Sequence, residues 1–222
     1  MKLSFQKSLN ALLICVFAFS TLVSNAQDDR KKVDKELRKE IKEKAIKDAR
    51  KEAKSLEKQK WYIQPGSLPL AKQVEKAWMM QYETDDEGYP KYYVGVGNAL
   101  AGTQSAAKLQ ASTIAKQDLA GRISSSMASL VETNLSTTQL TADEAATIQE
   151  TISASTEVIA QELARIITLT ELYRRNKSNY ECNLRIAYSQ ELANKAAQEV
   201  VKKELEQKTN VTREKLDKLM NF

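Results

Sequence analysis

The 222-residue sequence contains no histidine. That removes the commonest general base, the imidazole metal ligand, and any Ser-His or Cys-His nucleophile pair. Cysteine is nearly as scarce. Cys15 and Cys182 stand far apart, so neither a CxxC redox site nor a thiolate zinc cluster can be written. With three prolines and six glycines, the chain is free to form long, uninterrupted helices. Gly95-Val96-Gly97 lies between a strand pattern and a helix pattern, but the third glycine of a dinucleotide fingerprint would fall at Leu100. The expectation is therefore no catalytic residue, no metal and no cofactor.

What is present begins with an export signal. Lys2 and Lys7 precede an uncharged apolar run from Leu12 to Val23, and Ser24-Asn25-Ala26 supplies a small-x-small exit. These are the three parts of a secretory signal peptide, residues 1–26. The apolar run is too short to span a bilayer, which takes about 20 residues. Cys15 follows Ile14 rather than a small residue, so it is not read as a lipidation site. Cleavage would leave Cys182 alone, without an intramolecular partner.

Net charge is confined to one stretch. Residues 28–60 carry 14 Lys or Arg and 9 Asp or Glu, while the remainder is close to neutral. This distribution argues against a nucleic-acid-binding domain. Residues 27–60 lack Gly and Pro and are rich in helix formers. Val33, Leu37, Ile41, Ala45, Ala49, Ala53 and Leu56 place a narrow apolar stripe on one helix face. They are read as a charged helical stalk, ended by Pro65, Gly66 and Pro69. Through residues 28–60 it could meet an envelope protein, a cell-wall polymer or an anionic membrane surface.

Residues 61–208 form the expected folded domain. Leu70 to Tyr82 reads as a helix, and Thr84 to Pro90 as an acidic turn whose spacing does not match a calcium loop. Tyr92 to Gly97 is β-rich and alternates, with Tyr92, Val94 and Val96 on one face and Gly95 and Gly97 on the other. Glycine in a strand invites another backbone close, and the helix that follows is expected to cross there. That helix, about Thr103 to Asn134, has inward positions Ala107, Ala111, Ile114, Ala115, Leu119, Ile123, Met127, Leu130 and Val131. A second helix spans about Ala142 to Ala164 after Thr141. Ile166 to Arg174 and Tyr180 to Tyr188 form a hairpin, and Ser189 introduces a helix to about Gln207. Residues 209–222 read as a short helical tail. The fold class is α+β: a small three-stranded, mainly antiparallel sheet with long helices on one face.

The segment Tyr92-Tyr93-Val94-Gly95-Val96-Gly97-Asn98-Ala99, then Ala107, Ala111, Ala115, Leu119 and Ile123, resembles the Lpp-twenty type of outer-membrane lipoproteins. It is also similar to the amino-terminal domain of the flagellar T protein. Trp61 to Pro65 resembles the entry before the family's strand, and the likeness extends over about Trp61 to Lys208. It implies an envelope location, surface or assembly roles, and no defined active site. The family usually carries a lipidation box; here Ile14 stands before Cys15 where that box has a small residue.

The sequence thus predicts a non-enzymatic exported protein, periplasmic or on the periplasmic face of the outer membrane, acting as a structural or interaction module. One alternative is a periplasmic holdase using the basic amino-terminal helix; another is a small envelope hydrolase. Trp61, Trp78, Tyr92 and Tyr93 are the candidate contact aromatics. Gly95 and Gly97 are candidate structural positions. A homo-oligomer is compatible with the sequence; nucleic acid and a small-molecule cofactor are not expected partners.

Overall fold

The computed structural model describes residues 35–135, 141–208 and 211–219. The signal segment, Val33, the loop at 136–140, Met220 and Phe222 lie outside the described residues. Two compact units divide between Lys44 and Ala45. In the first, residues 35–44 are helical, and Leu37 and Ile41 are 52% and 40% exposed. This part of the expected apolar stripe is solvated.

The second unit is an α+β fold. Helix α1 (35–58) contributes its later part to it. Then follow α2 (Leu70–Gln81), β1 (Tyr92–Ala101), α3 (Gln104–Leu135), α4 (Ala142–Ala154), α5 (Thr156–Glu162), β2 (Ile167–Asn176), β3 (Asn179–Ser189), α6 (Gln190–Lys208) and α7 (Arg213–Leu219). The sheet is antiparallel in the order β1-β3-β2. β1 runs four residues past the expected Gly97, because β3 offers an unbroken ladder as far as Ala101↔Tyr180. Pairing overrides the weak strand propensity of Asn98 to Ala101.

One face of the sheet carries the main core. Gly95 and Gly97 of β1 and Cys182, Leu184 and Ile186 of β3 lie under Ala111, Ala115 and Leu119 of α3. The predicted close approach is there. A Cβ on Gly95 would sit 2.9 Å from Leu119 Cβ, and one on Gly97 would sit 2.7 Å from Ala115 N while overlapping Ala111 O. No side chain fits such a space, so glycine is required by contact rather than by backbone torsion. Ile114 was expected inward but is 42% exposed. It lies on the flank of α3 shared with Asp118, beside the sheet, while Ala120 is buried instead.

The opposite face is covered too, which corrects the one-sided sandwich. Ala49, Ala53 and Leu56 of α1 pack with Trp61, Val74 of α2 and Leu172 of β2. Ala77 of α2 packs on Leu169 and Ala187. Residues 45–58 therefore belong to the folded unit, and the expected stalk boundary at 60/61 differs from the boundary of the packed core. Helix α1 also stops earlier than the prolines require. Lys60 adopts φ +63°, Lys60 N donates to Glu57 O at 2.9 Å, and Trp61 N donates to Leu56 O at 3.0 Å. This double bond pattern, with Trp61 packed on Leu56, is a Schellman cap.

Both sheet edges are occupied. On β2, Tyr173 N donates to Tyr62 O and Tyr62 N to Tyr173 O, each at 2.8 Å. Glu171 N donates to Gln73 Oε1 of α2 at 3.0 Å. On β1, Val96 N donates to Asp118 Oδ2 of α3 at 2.9 Å. Such contacts leave less of the backbone ladder open to another chain.

The single helix expected over Ala142 to Ala164 is broken at Ser155. Its buried hydroxyl donates back to Thr151 O at 2.7 Å, a bond that competes with the helical ladder. The start at Thr141 is a full capping box: Thr141 Oγ1 accepts from Glu144 N and Thr141 N donates to the Glu144 carboxylate. That backbone bond, with Lys215 nearby, holds the Glu144 carboxyl below its ordinary range. The tail is part of the core, since Val211, Leu216 and Leu219 are buried in it and Asn134 Nδ2 donates to Leu219 O.

Candidate functional site

At the end of the sheet where β1 begins and β3 passes into α6, a groove of about 840 Å³ opens to solvent. Three elements build it. Helix α3 contributes Ser126, Ser129 and Thr133, spaced by three and four residues and hence on one face. Helix α6 contributes Gln190 and Asn194, one turn apart. The turn before β1 contributes Tyr89 and Pro90, with Tyr92 at the strand's first position.

The turn is held by its own hydrogen bonds. Asp85 Oδ1 accepts from Glu87 N at 3.0 Å and from Tyr89 N at 2.8 Å, and Gly88 takes φ +93°. Asp85 is thereby a turn anchor, and Tyr89 projects with 62% of its surface exposed. Among the described residues no three His, Cys, Asp or Glu side chains gather as a metal site.

The groove's floor is fixed by Tyr93. Its hydroxyl donates to Ser126 Oγ at 2.7 Å, with Asn194 Oδ1 at 3.4 Å. Ser126 accepts that bond. Ser129 donates to Ser125 O at 3.1 Å, which leaves its lone pairs as acceptors. Glu87 and Glu191 line the groove with Asp85; Lys91, the basic residue of the lining, pairs with Glu83 at 3.3 Å. The local field is negative.

The sequence-derived candidates separate into two groups. Tyr92 lines the groove and Tyr93 supports it. Trp61 is 8% exposed in the core of the second sheet face, with the Arg174 guanidinium 4.8 Å from its ring centroid. Trp78 stacks on Tyr82 and donates Nε1–H to Glu52 Oε2 at 2.5 Å, and Arg185 pairs with the same carboxylate. Trp61 and Trp78 thus join α1 and α2 to the sheet and are remote in chain and face from Tyr93. Gly95 and Gly97 lie beneath α3.

Serines 124 to 126 have separate structural engagements. Thr156 Oγ1 donates to Ser124 Oγ, Ser125 Oγ donates to Gly121 O, and Ser126 accepts from Tyr93. Cys182 is fully buried, and its thiol is pushed up to about 11 by burial, with the Glu171 carboxylate adding to the shift. A thiol so placed is a packing group, not a nucleophile.

Tyr89, Ser129 and Asn194 were not singled out in the sequence. The signal for them was present in part: Ser126, Ser129 and Thr133 form a hydroxyl stripe beside the apolar one on α3. What faces that stripe depends on α6, and no local pattern reveals it.

Among the described residues no helix is long and apolar enough to cross a membrane. The chain matches no family model, no curated protein and no solved structure in comparisons with known proteins.

Proposed function

We propose that this chain is an exported, non-enzymatic interaction module of a bacterial cell envelope that recognises its partner in the groove beside Tyr92. The observation that carries the binding part of this reading is the groove itself: aromatic, hydroxyl and amide groups line it, and the bonds assigned to its serine and threonine hydroxyls on α3 are bonds within the fold. The lack of histidine and the buried, protonated thiol agree with a binding role. Export rests on the sequence of residues 1–26, and an envelope role on the family resemblance of residues 61–208.

The test is fractionation of cells making the whole sequence, with intact mass of the product and a carbonate wash of membranes. A product beginning at Gln27 in the periplasmic fraction is the expected result. A full-length cytoplasmic product would overturn the reading. A lipid-modified mass would instead make the protein an anchored lipoprotein.

A further inference from the structure

Residues 35–64 contain neither glycine nor proline, so their sequence gives α1 no reason to stop at residue 58. It stops because Lys60 takes φ +63°, a left-handed torsion that glycine holds freely and a residue with a Cβ does not. The hydrogen bonds of this cap do not depend on that torsion. Lys60 N donates to Glu57 O, and Trp61 N to Leu56 O. Were α1 to run straight on, Lys60 N would meet Leu56 O and Trp61 N would meet Glu57 O, the ordinary helical partners. The same two donors and the same two acceptors are paired in either state. Straightening therefore loses no hydrogen bond and removes the left-handed residue. On the near side of this hinge, Gln59 N already bonds Ser55 O as in a helix; on the far side, Tyr62 is fixed to β2 by its paired bonds with Tyr173. The change falls on the backbone about Lys60.

What holds the later part of α1 in place is separable from the hinge. Ala49 and Ala53 each bring little apolar area, and Leu56 adds more. Glu52 supplies the polar tie, accepting from Trp78 Nε1 at 2.5 Å and pairing with Arg185. The groups they meet, Leu70, Val74, Trp78, Leu172 and Arg185, all follow the hinge in the chain. The same helix arriving from another copy would make the same contacts. We propose that α1 is exchanged between two copies of this chain. Each hinge straightens at Lys60, and Glu52, Ala49, Ala53 and Leu56 of one copy dock on Val74, Trp78, Leu172 and Arg185 of the other. The exchange is reciprocal, so the pair closes on a twofold axis and leaves neither acceptor face empty. A short hinge in an unfavourable torsion drives such an exchange, because the dimer keeps the contacts and relieves the hinge. The entropy of association opposes it, so the balance moves with protein concentration. The partner is a second copy, and each Glu52 tie is completed between copies. This exchange is independent of the groove beside Tyr92 and of export.

The experiment refolds the native product from urea at low and at high protein concentration and measures its mass by light scattering. A dimer whose share grows with concentration is expected. In dimers assembled from labelled and unlabelled copies, methyl NOEs from Ala49, Ala53 or Leu56 to Val74 or Leu172 should cross between copies. Lys60→Gly accepts the left-handed torsion and disfavours the straight helix, so it should raise the dimer dissociation constant about tenfold or more. Lys60→Val, β-branched and averse to that torsion, should lower it. Both variants should keep the circular dichroism of the parent, since the hinge makes no side-chain contact on which the core depends. A parent that stays monomeric at every concentration overturns the proposal. So does a dimer whose NOEs all remain within one copy, which would be a surface contact without exchange. A Lys60→Gly variant that dimerises as readily as the parent would remove the hinge as its cause and overturn it equally.

Discussion

The two faces of the sheet are sealed in different ways. On the α3 face the seal is backbone against backbone: Gly95 and Gly97 let the helix sit where any Cβ would collide. On the α1 and α2 face the seal is a polar tie within an apolar layer, with Glu52 accepting from Trp78 and Arg185 while Ala49 and Ala53 fill the space around it. The first face tolerates no added atom. The second tolerates repacking but not the loss of Glu52, because Trp78 Nε1–H and the Arg185 guanidinium would stay half-buried without that partner.

The largest expected effect is on the first face. Gly97→Val should prevent folding, with a loss on the order of 5 kcal/mol, comparable to the whole stability of a domain. Urea unfolding followed by circular dichroism decides it; a cooperative transition near the parent midpoint would show that α3 can lift away. Next is the second face. A chain starting at Ala45 should melt like the parent, whereas one starting at Trp61 loses Glu52, Ala49, Ala53 and Leu56 and should lose about 4 kcal/mol or more. Equal melting of the two would make residues 45–60 dispensable.

Glu52→Ala, which leaves every apolar contact in place, should cost about 2–3 kcal/mol by the same unfolding assay. A cost below about 0.5 kcal/mol would reduce the tie to a surface ion pair. A pH series probes the first face again. The Cys182 thiol ionises near 9.0 when free and only near 11 when folded, so the unfolded chain loses its proton first. Stability should hold below pH 9 and fall as pH rises toward 11, by about 2 kcal/mol from this group. Burial and Glu171 also hold the Tyr173 phenol protonated, which extends the fall upward. Melting curves of the parent and Cys182→Ala should therefore converge at high pH. The smallest effect is a gain. Gly121, inside α3, has no atom within 4 Å of an added Cβ, so Gly121→Ala should stabilise by about 0.5–1 kcal/mol. A loss there would mean that the far side of α3 is more crowded than the sheet side implies.

Much of the first face was legible in the sequence. The alternation in Tyr92 to Gly97 and the alanines at Ala107, Ala111 and Ala115 announce a helix lying close on a strand. The hairpin strands and α6 were legible from periodicity as well. The second face was not. Ala45, Ala49 and Ala53 sit among so many charges that their segment reads as solvated, and alanine carries too little apolar area to declare its own burial. Glu52 is indistinguishable from its charged neighbours until Trp78 and Arg185, distant in sequence, are placed on it. The break at Ser155 was equally hidden, because a serine within a helix pattern gives no sign of where its hydroxyl will turn. At the groove, Tyr92 and Tyr93 were visible as aromatics, but Asn194 acquires meaning only from the helix opposite.

The glycine contact also has a consequence for the order of events during synthesis. Gly97 reaches Ala111 as soon as the first turns of α3 wind, but it reaches its strand partner Leu184 only after α4, α5 and β2 have emerged. By sequence separation the strand–helix unit is the expected local nucleus, and the sheet the expected late, long-range closure. In the interval, the inward edge of β1 has no ladder partner and is the stretch on which a nascent-chain chaperone would find hydrogen-bonding groups to shield. In φ-value terms, truncations at Leu119 should slow folding, while those at Leu184 should chiefly speed unfolding.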